Sequence, residues 1–297
     1  MKIAYEIHGD IQNPVIIVIQ GLGMPLTATP PEIVSKLVKH GYCLLLIDNR
    51  DIGQSEKMKT KIPNIFLQVI KYLFKLRVTS FYSLKDMAND INDLTVELNI
   101  NNYHVIGVSM GGMIAQLLAI KHTNKVNSLI SIMSTTGDPN LPKPRWKIVK
   151  FILSGSKEKD IGSASSFYIK LWGLIGSPAY PRSHQEISLF VDRILSRGVS
   201  KRGTIRQMLA IMSSYDRSKA LEKISTPTLV IHGTDDLLVP YECGVDTANS
   251  IKNSKLWSIK GMGHDFPYEL FDEFVLRIDS HIKSILSIKQ DLNLYEI

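Results

Sequence analysis

Short aliphatic and β-branched runs alternate with stretches of helical spacing through the first half of the chain. Val15-Ile16-Ile17-Val18-Ile19 is apolar at every position, as expected of a strand covered on both faces. The same reading predicts strands over 2–8, 42–47, 103–108, 126–133, 228–232 and 255–259. Helices are predicted over 31–39, from Ser83 onward, over 110–119 and over 266–285, the last with Pro267 tolerated in its first turn. Ser83 and Asp86 read as a capping box, and Met87, Ile91, Leu94 and Leu98 then recur at helical spacing. Alternation of this kind predicts an α/β architecture, a mostly parallel sheet flanked by helices.

The rhythm stops between about 136 and 222. This stretch carries Pro139, Pro142, Pro144, Pro178 and Pro181, with helical patterns over Trp146–Leu153 and Gln185–Leu195. Strands then resume. The expectation is a core of residues 1–135 and 223–297 interrupted by a mostly helical cap insertion, 136–222. Open α/β sheets bind ligands beyond the carboxyl ends of their strands, so an insertion there would wall a site.

Composition narrows the class. Hydrophobic residues make up 44% and charged residues 21% of the 297 positions, which excludes a disordered chain. The net charge is +7, and its densest stretch runs from Lys57 to Arg77. No zinc-finger spacing or nucleic-acid module accompanies it, so a lysine-rich surface is expected and a nucleic-acid partner is not. Within that stretch, residues 62–77 are apolar with basic punctuation. Two readings stand: a helix packed beside the cap, or an amphipathic helix making weak contact with a membrane or a lipidic substrate. Cys43 falls in a predicted strand and Cys243 at a predicted helix start, with no disulfide framework or metal spacing. Glu6 and His8 interrupt what would be a signal peptide, and no apolar run reaches the ~20 residues that span a bilayer. A cytoplasmic protein without stable membrane insertion is expected.

The candidate chemistry begins at Gly107-Val108-Ser109-Met110-Gly111. A serine between a strand and a helix, flanked by glycines, is a nucleophile-elbow pattern. The turn exposes the hydroxyl, and the helix N-terminus offers amides to a developing oxyanion. A serine hydroxyl needs a base. Among eight histidines, His264 lies in a glycine-rich loop (Gly261-Met262-Gly263-His264) between the last strand and the last helix. His104 is mid-strand, His232 at a strand end reads as structural, and His8, His40, His122, His184 and His281 read as solvated. The base needs a carboxylate, and chain order places it between serine and histidine. Asp236 is the choice and Asp235, beside it, the alternative. The amides of Met110 and of Leu22, in Gln20-Gly21-Leu22-Gly23, are the candidate oxyanion donors.

Four motifs in this order resemble the α/β-hydrolase superfamily over nearly the whole chain. Asn49-Arg50-Asp51-Ile52-Gly53-Gln54-Ser55, Phe81–Ala88 and Gly261–His264 resemble more closely the aclacinomycin methylesterase group. That resemblance implies a carboxylic ester hydrolase with a helical cap and no cofactor, acting on a small-molecule ester. It implies Ser109 as nucleophile, His264 as base, Asp236 as its partner, and Leu22 and Met110 at the oxyanion hole. Many members carry His-Gly where this chain has Gln20-Gly21. Thioesterase, lipase, peptidase and cofactor-free haloperoxidase activities use the same residues. A dehalogenase or epoxide hydrolase would need a carboxylate in place of Ser109. A non-catalytic receptor on this fold would not need all three positions filled, as they are here.

Overall fold

The computed structural model describes residues 1–154 and 161–294. It contains β1 (Tyr5–His8), β2 (Val15–Ile19), α1 (Pro31–Lys39), β3 (Cys43–Ile47), α2 (Ile65–Leu73), α3 (Leu84–Glu97), β4 (Tyr103–Val108), α4 (Met110–Lys121) and β5 (Val126–Ile132). Five helices follow before the next strand: α5 (Trp146–Ser154), α6 (Ile161–Ile175), α7 (His184–Arg197), α8 (Lys201–Met212) and α9 (Ser218–Leu221). The chain closes with β6 (Thr228–Gly233), α10 (Tyr241–Ser250), β7 (Lys255–Ile259) and α11 (Phe271–Leu294).

The seven strands form one sheet in the order β1-β3-β2-β4-β5-β6-β7, parallel except for β1, which pairs antiparallel with β3. Every residue of β2, β3 and β4 is buried. Successive side chains of a strand enter opposite layers. Ile17, Ile19, Leu45 and Val105 pack against α3 and α4, and Ile16, Val18, Leu44 and Ile106 against α1 and α11. The unbroken apolar runs therefore feed two cores at once.

Three expectations shift. The opening strand begins at Tyr5 rather than at residue 2. The last helix begins at Phe271, after a short 3-10 turn at Tyr268–Leu270, because Pro267 sits in extended backbone. His281 is buried on α11, not solvated. The Ser83–Asp86 box caps α3 as expected, with the Asp86 carboxylate accepting the Ser83 amide at 2.7 Å and Ser83 Oγ the Asp86 amide at 3.2 Å.

Helices α5, α6 and α7 share a small core of their own, including Ile148, Tyr168, Leu171, Ile175, Phe190 and Val191. Helix α8 is tied to the sheet side instead. Its Arg206 makes a bidentate pair with Asp51 (2.8 and 2.7 Å), which also accepts the Tyr82 hydroxyl (2.9 Å) and the Met58 amide (2.8 Å). Burial pushes the Asp51 carboxyl up, but Arg206 and these donors together hold it below its ordinary value. Arg217 closes the neck of the β5–β6 segment, donating to Gln116 Oε1 (2.9 Å) and to the Thr135 carbonyl (2.8 Å). Burial lowers its pKa to about 10. Among the described residues no helix is long and apolar enough to cross a membrane.

Candidate active site

Ser109 occupies the turn from β4 into α4 with φ 55° and ψ −119°. That conformation is strained for any residue bearing a Cβ, and it persists only where its surroundings over-determine it. Here they do. The Ser109 amide donates to the Ile132 carbonyl (2.9 Å), and its own carbonyl accepts Ser134 Oγ (2.7 Å). The glycines flanking it are steric necessities. A Cβ at Gly107 would lie 2.3 Å from the Gly111 carbonyl oxygen, and one at Gly111 would lie 2.0 Å from that of Ile19.

Asp236 and His264 meet at this turn's level from the loops after β6 and β7. The His264 Nδ1–H donates to Asp236 Oδ2 at 2.6 Å, with the carboxylate buried. The other carboxylate oxygen accepts the amides of Leu238 (2.9 Å) and Val239 (2.8 Å), which fix its orientation. Nε2 of His264 is the ring nitrogen left for other work. Asp235 is exposed and turns elsewhere, accepting Thr234 Oγ1 (2.6 Å) and the Gly261 amide (3.0 Å). His232 lies under the acid loop. It donates from Nε2 to the Val239 carbonyl (2.8 Å), and burial lowers its pKa, which keeps the ring neutral beside the carboxylate.

The histidine loop is clamped by the end of α6. The His264 amide donates to the Ile175 carbonyl (2.7 Å), and the Gly263 amide to Ser177 Oγ (2.9 Å). A Cβ at Gly263 would meet the Ile175 and Gly176 carbonyl oxygens at 2.5 Å. Asp265 accepts the Ser177 hydroxyl and lies 3.5 Å from Arg182 Nε. Burial raises its carboxyl above the ordinary value despite these partners.

At the end of β2, Gly21 packs against Ser109: a Cβ there would lie 3.2 Å from the Ser109 Cβ. The Gln20 side chain donates to Thr29 Oγ1 (2.7 Å), and the Gln20 backbone carbonyl accepts Asn49 Nδ2 (3.0 Å). The replacement of histidine by glutamine is thus absorbed by a local hydrogen bond. Gln207 of α8 braces this turn, accepting the Gly23 amide (2.8 Å) while donating to the Arg50 carbonyl (2.8 Å). The Leu22 and Met110 amides have no acceptor among the described residues.

Ser109 and His264 border one cavity of about 590 Å³, whose far wall comes from α5–α8. Apolar side chains dominate it, with Phe167, Leu171, Trp172 and Phe190 on α6 and α7 and Ile205 and Met208 on α8. Of the residues expected from sequence, Ser109, His264 and Leu22 line this cavity, Asp236 is bonded to His264, and Met110 follows Ser109 in the turn. Sequence reasoning missed Gln207, Ser177 and Asp265. Only Asp265 carried a signal, as the carboxylate following the histidine.

A family model described as alpha/beta hydrolase fold matches residues 14–165. The "Putative carbamate hydrolase RutD" of Yersinia enterocolitica is 29% identical over 189 residues, which cover 63% of this chain and 65% of that protein. Rhodomycin D methylesterase DnrP of Streptomyces peucetius is 22% identical over 299 residues, 93% of each chain. The solved esterase EaEST of Exiguobacterium antarcticum superposes with a TM-score of 0.74 at 22% identity, covering 95% of this chain and 96% of its own.

Proposed function

Because this chain belongs to the α/β-hydrolase family, we propose that it is a serine hydrolase cleaving carboxylic esters, with Ser109, His264 and Asp236 as its catalytic residues. The observation that carries this reading is the 2.6 Å bond from His264 Nδ1 to a buried carboxylate, beside a serine held at φ 55° on the same cavity. The bond fixes the tautomer that leaves Nε2 as a base. His264 takes the Ser109 proton as Oγ bonds to the ester carbonyl carbon. The carbonyl π electrons move onto oxygen, and the amides of Leu22 and Met110 donate hydrogen bonds to the oxyanion so formed. The carbon–alkoxide bond then breaks, and the alcohol leaves with the proton from His264. Water repeats the sequence against the acyl-enzyme and releases the acid.

Residues 136–222 serve as a cap that selects the substrate. A cavity of about 590 Å³ with an aromatic wall fits an ester with a bulky apolar acid and a small alcohol. The likeness to a methylesterase supports the small alcohol. Labelling by a fluorophosphonate probe, with release of p-nitrophenol from aryl esters, tests the assignment. Ser109→Ala should abolish labelling and lower kcat by about 10⁶-fold. Equal turnover by the variant would end it. Carbamate cleavage is the second reading, favoured by the name of one relative. Faster turnover of an aryl carbamate than of the ester with the same leaving group would select it.

A further inference from the structure

Helix α2 is built inside out. Its mid-helix polar residue, Gln68, is 3% exposed and accepts the Thr79 amide at 2.8 Å. Its large apolar residues point the other way: Phe66 is 75% exposed, Leu73 65% and Phe74 73%. Just beyond the helix, Lys75 adopts φ 54° and the Leu76 amide donates back to the Lys71 carbonyl (2.7 Å). The chain reverses there, and Leu76 is also 60% exposed. Helices of soluble proteins put such a face into a core, and contiguous apolar patches on a surface mark contact sites.

The charge around this face identifies what covers it. From Lys57 to Arg77 the chain holds six cations (Lys57, Lys59, Lys61, Lys71, Lys75, Arg77) and no carboxylate, against a net charge of +7 for all 297 residues. A second copy of the chain docked through α2 would bring two such clusters together, and like charges at close range oppose that contact. An anionic bilayer satisfies both features, taking the apolar side chains among its acyl chains and the cations at its headgroups. Nine helical residues are far short of the ~20 that span a membrane, so the helix lies along the interface. We propose that residues 65–77 form an interfacial anchor that holds the protein on an anionic lipid bilayer.

Sedimentation with vesicles tests the anchor. The probes are vesicles of phosphatidylcholine alone and of equal parts phosphatidylcholine and phosphatidylglycerol. The native protein should bind the mixed vesicles, bind the neutral ones weakly, and be released by salt. The triple variant Phe66→Ser, Leu73→Ser, Phe74→Ser should lose affinity for the mixed vesicles by at least ~10²-fold. The variant Lys71→Gln, Lys75→Gln, Arg77→Gln should lose about 10²-fold on the same vesicles, given roughly a factor of five per cation. All six positions lie outside the cores described above, so melting temperature and turnover of a soluble ester should hold, which separates this result from any failure of the esterase reading. Three outcomes overturn the proposal: native protein that ignores the mixed vesicles, variants that bind them as well as native protein does, or a native dimer in light scattering that the serine variant converts to monomer.

Discussion

The cavity has two walls made in different ways. One is the end of the sheet, where Ser109, Asp236 and His264 sit on turns whose backbone is committed by steric contact: glycines with no room for a Cβ, and amides and carbonyls already paired. The other is the α5–α8 layer, in which α5–α7 share a small apolar core whose Leu171 and Phe190 also face the cavity, and α8 adds Ile205 and Met208. Strand ends allow few alternatives, since a one-residue change of register reverses every side chain. Helical layers tolerate repacking while total volume is kept. Under the proposed function the difference amounts to a division of labour: the sheet side would carry the chemistry, and the helical side would decide what enters.

The sharpest way to break that division is at the acid. Asp236→Asn keeps the shape but lets His264 hold the wrong tautomer, and kcat should fall by about 10⁴-fold for every ester tried. Asp235→Asn, one residue away and exposed, should leave kcat within about threefold, a surface substitution of small effect. Steady-state rates on a short and a long ester compare the two. If Asp235→Asn costs as much as Asp236→Asn, the loops are not ordered as described.

Next in size is the response to acid. His281 lies on α11 against the sheet, and burial, helped by the charge of Lys255, lowers its pKa to about 4 from 6.5. Between those values the unfolded chain binds a proton that the folded chain does not, so stability is full above pH 6.5 and declines as pH falls towards 4. The loss over that window amounts to about 3 kcal/mol. His281→Leu should flatten urea-unfolding stability across this range. A slope unchanged by the substitution would place acid sensitivity elsewhere, for instance at His232, whose pKa burial also lowers.

Much of the sheet side was legible in the sequence because its signals are local. A continuous apolar run marks a doubly covered strand, and Gly-x-Ser-x-Gly between strand and helix marks the strained turn. His281 reads as solvated, although helical spacing puts it on the stripe of Phe274 and Ile278 that faces the core. What could not be read were couplings between distant residues. Gln207 meets Gly23 across 184 positions, and Arg206 meets Asp51 across 155; neither leaves a pattern in the chain around it. Ser177 and Asp265 join the two walls, and their pairing exists only once both have folded. Helix α2 left two readings open for another reason. Its spacing gives an apolar face but not which way it turns, and here buried Gln68 fixes the orientation against the usual rule.

The smallest effect bears most directly on the helical wall. Met208 of α8 lines the cavity without belonging to either core, so its substitution changes cavity volume at little cost in stability. Met208→Trp should fill the space that a long acyl chain would use, and lower kcat/KM for an octanoate ester by about 10-fold, the scale of one or two methylenes in an apolar pocket. Met208→Ala should move the same ratio the opposite way by a smaller factor. An acetate ester does not reach that wall, so its kcat/KM should change less than about threefold in both variants. The ratio of octanoate to acetate turnover is therefore the readout. Should acetate and octanoate fall together, Met208 would be acting on Ser109 or His264 through α8, and selectivity and chemistry would not be housed in separate walls.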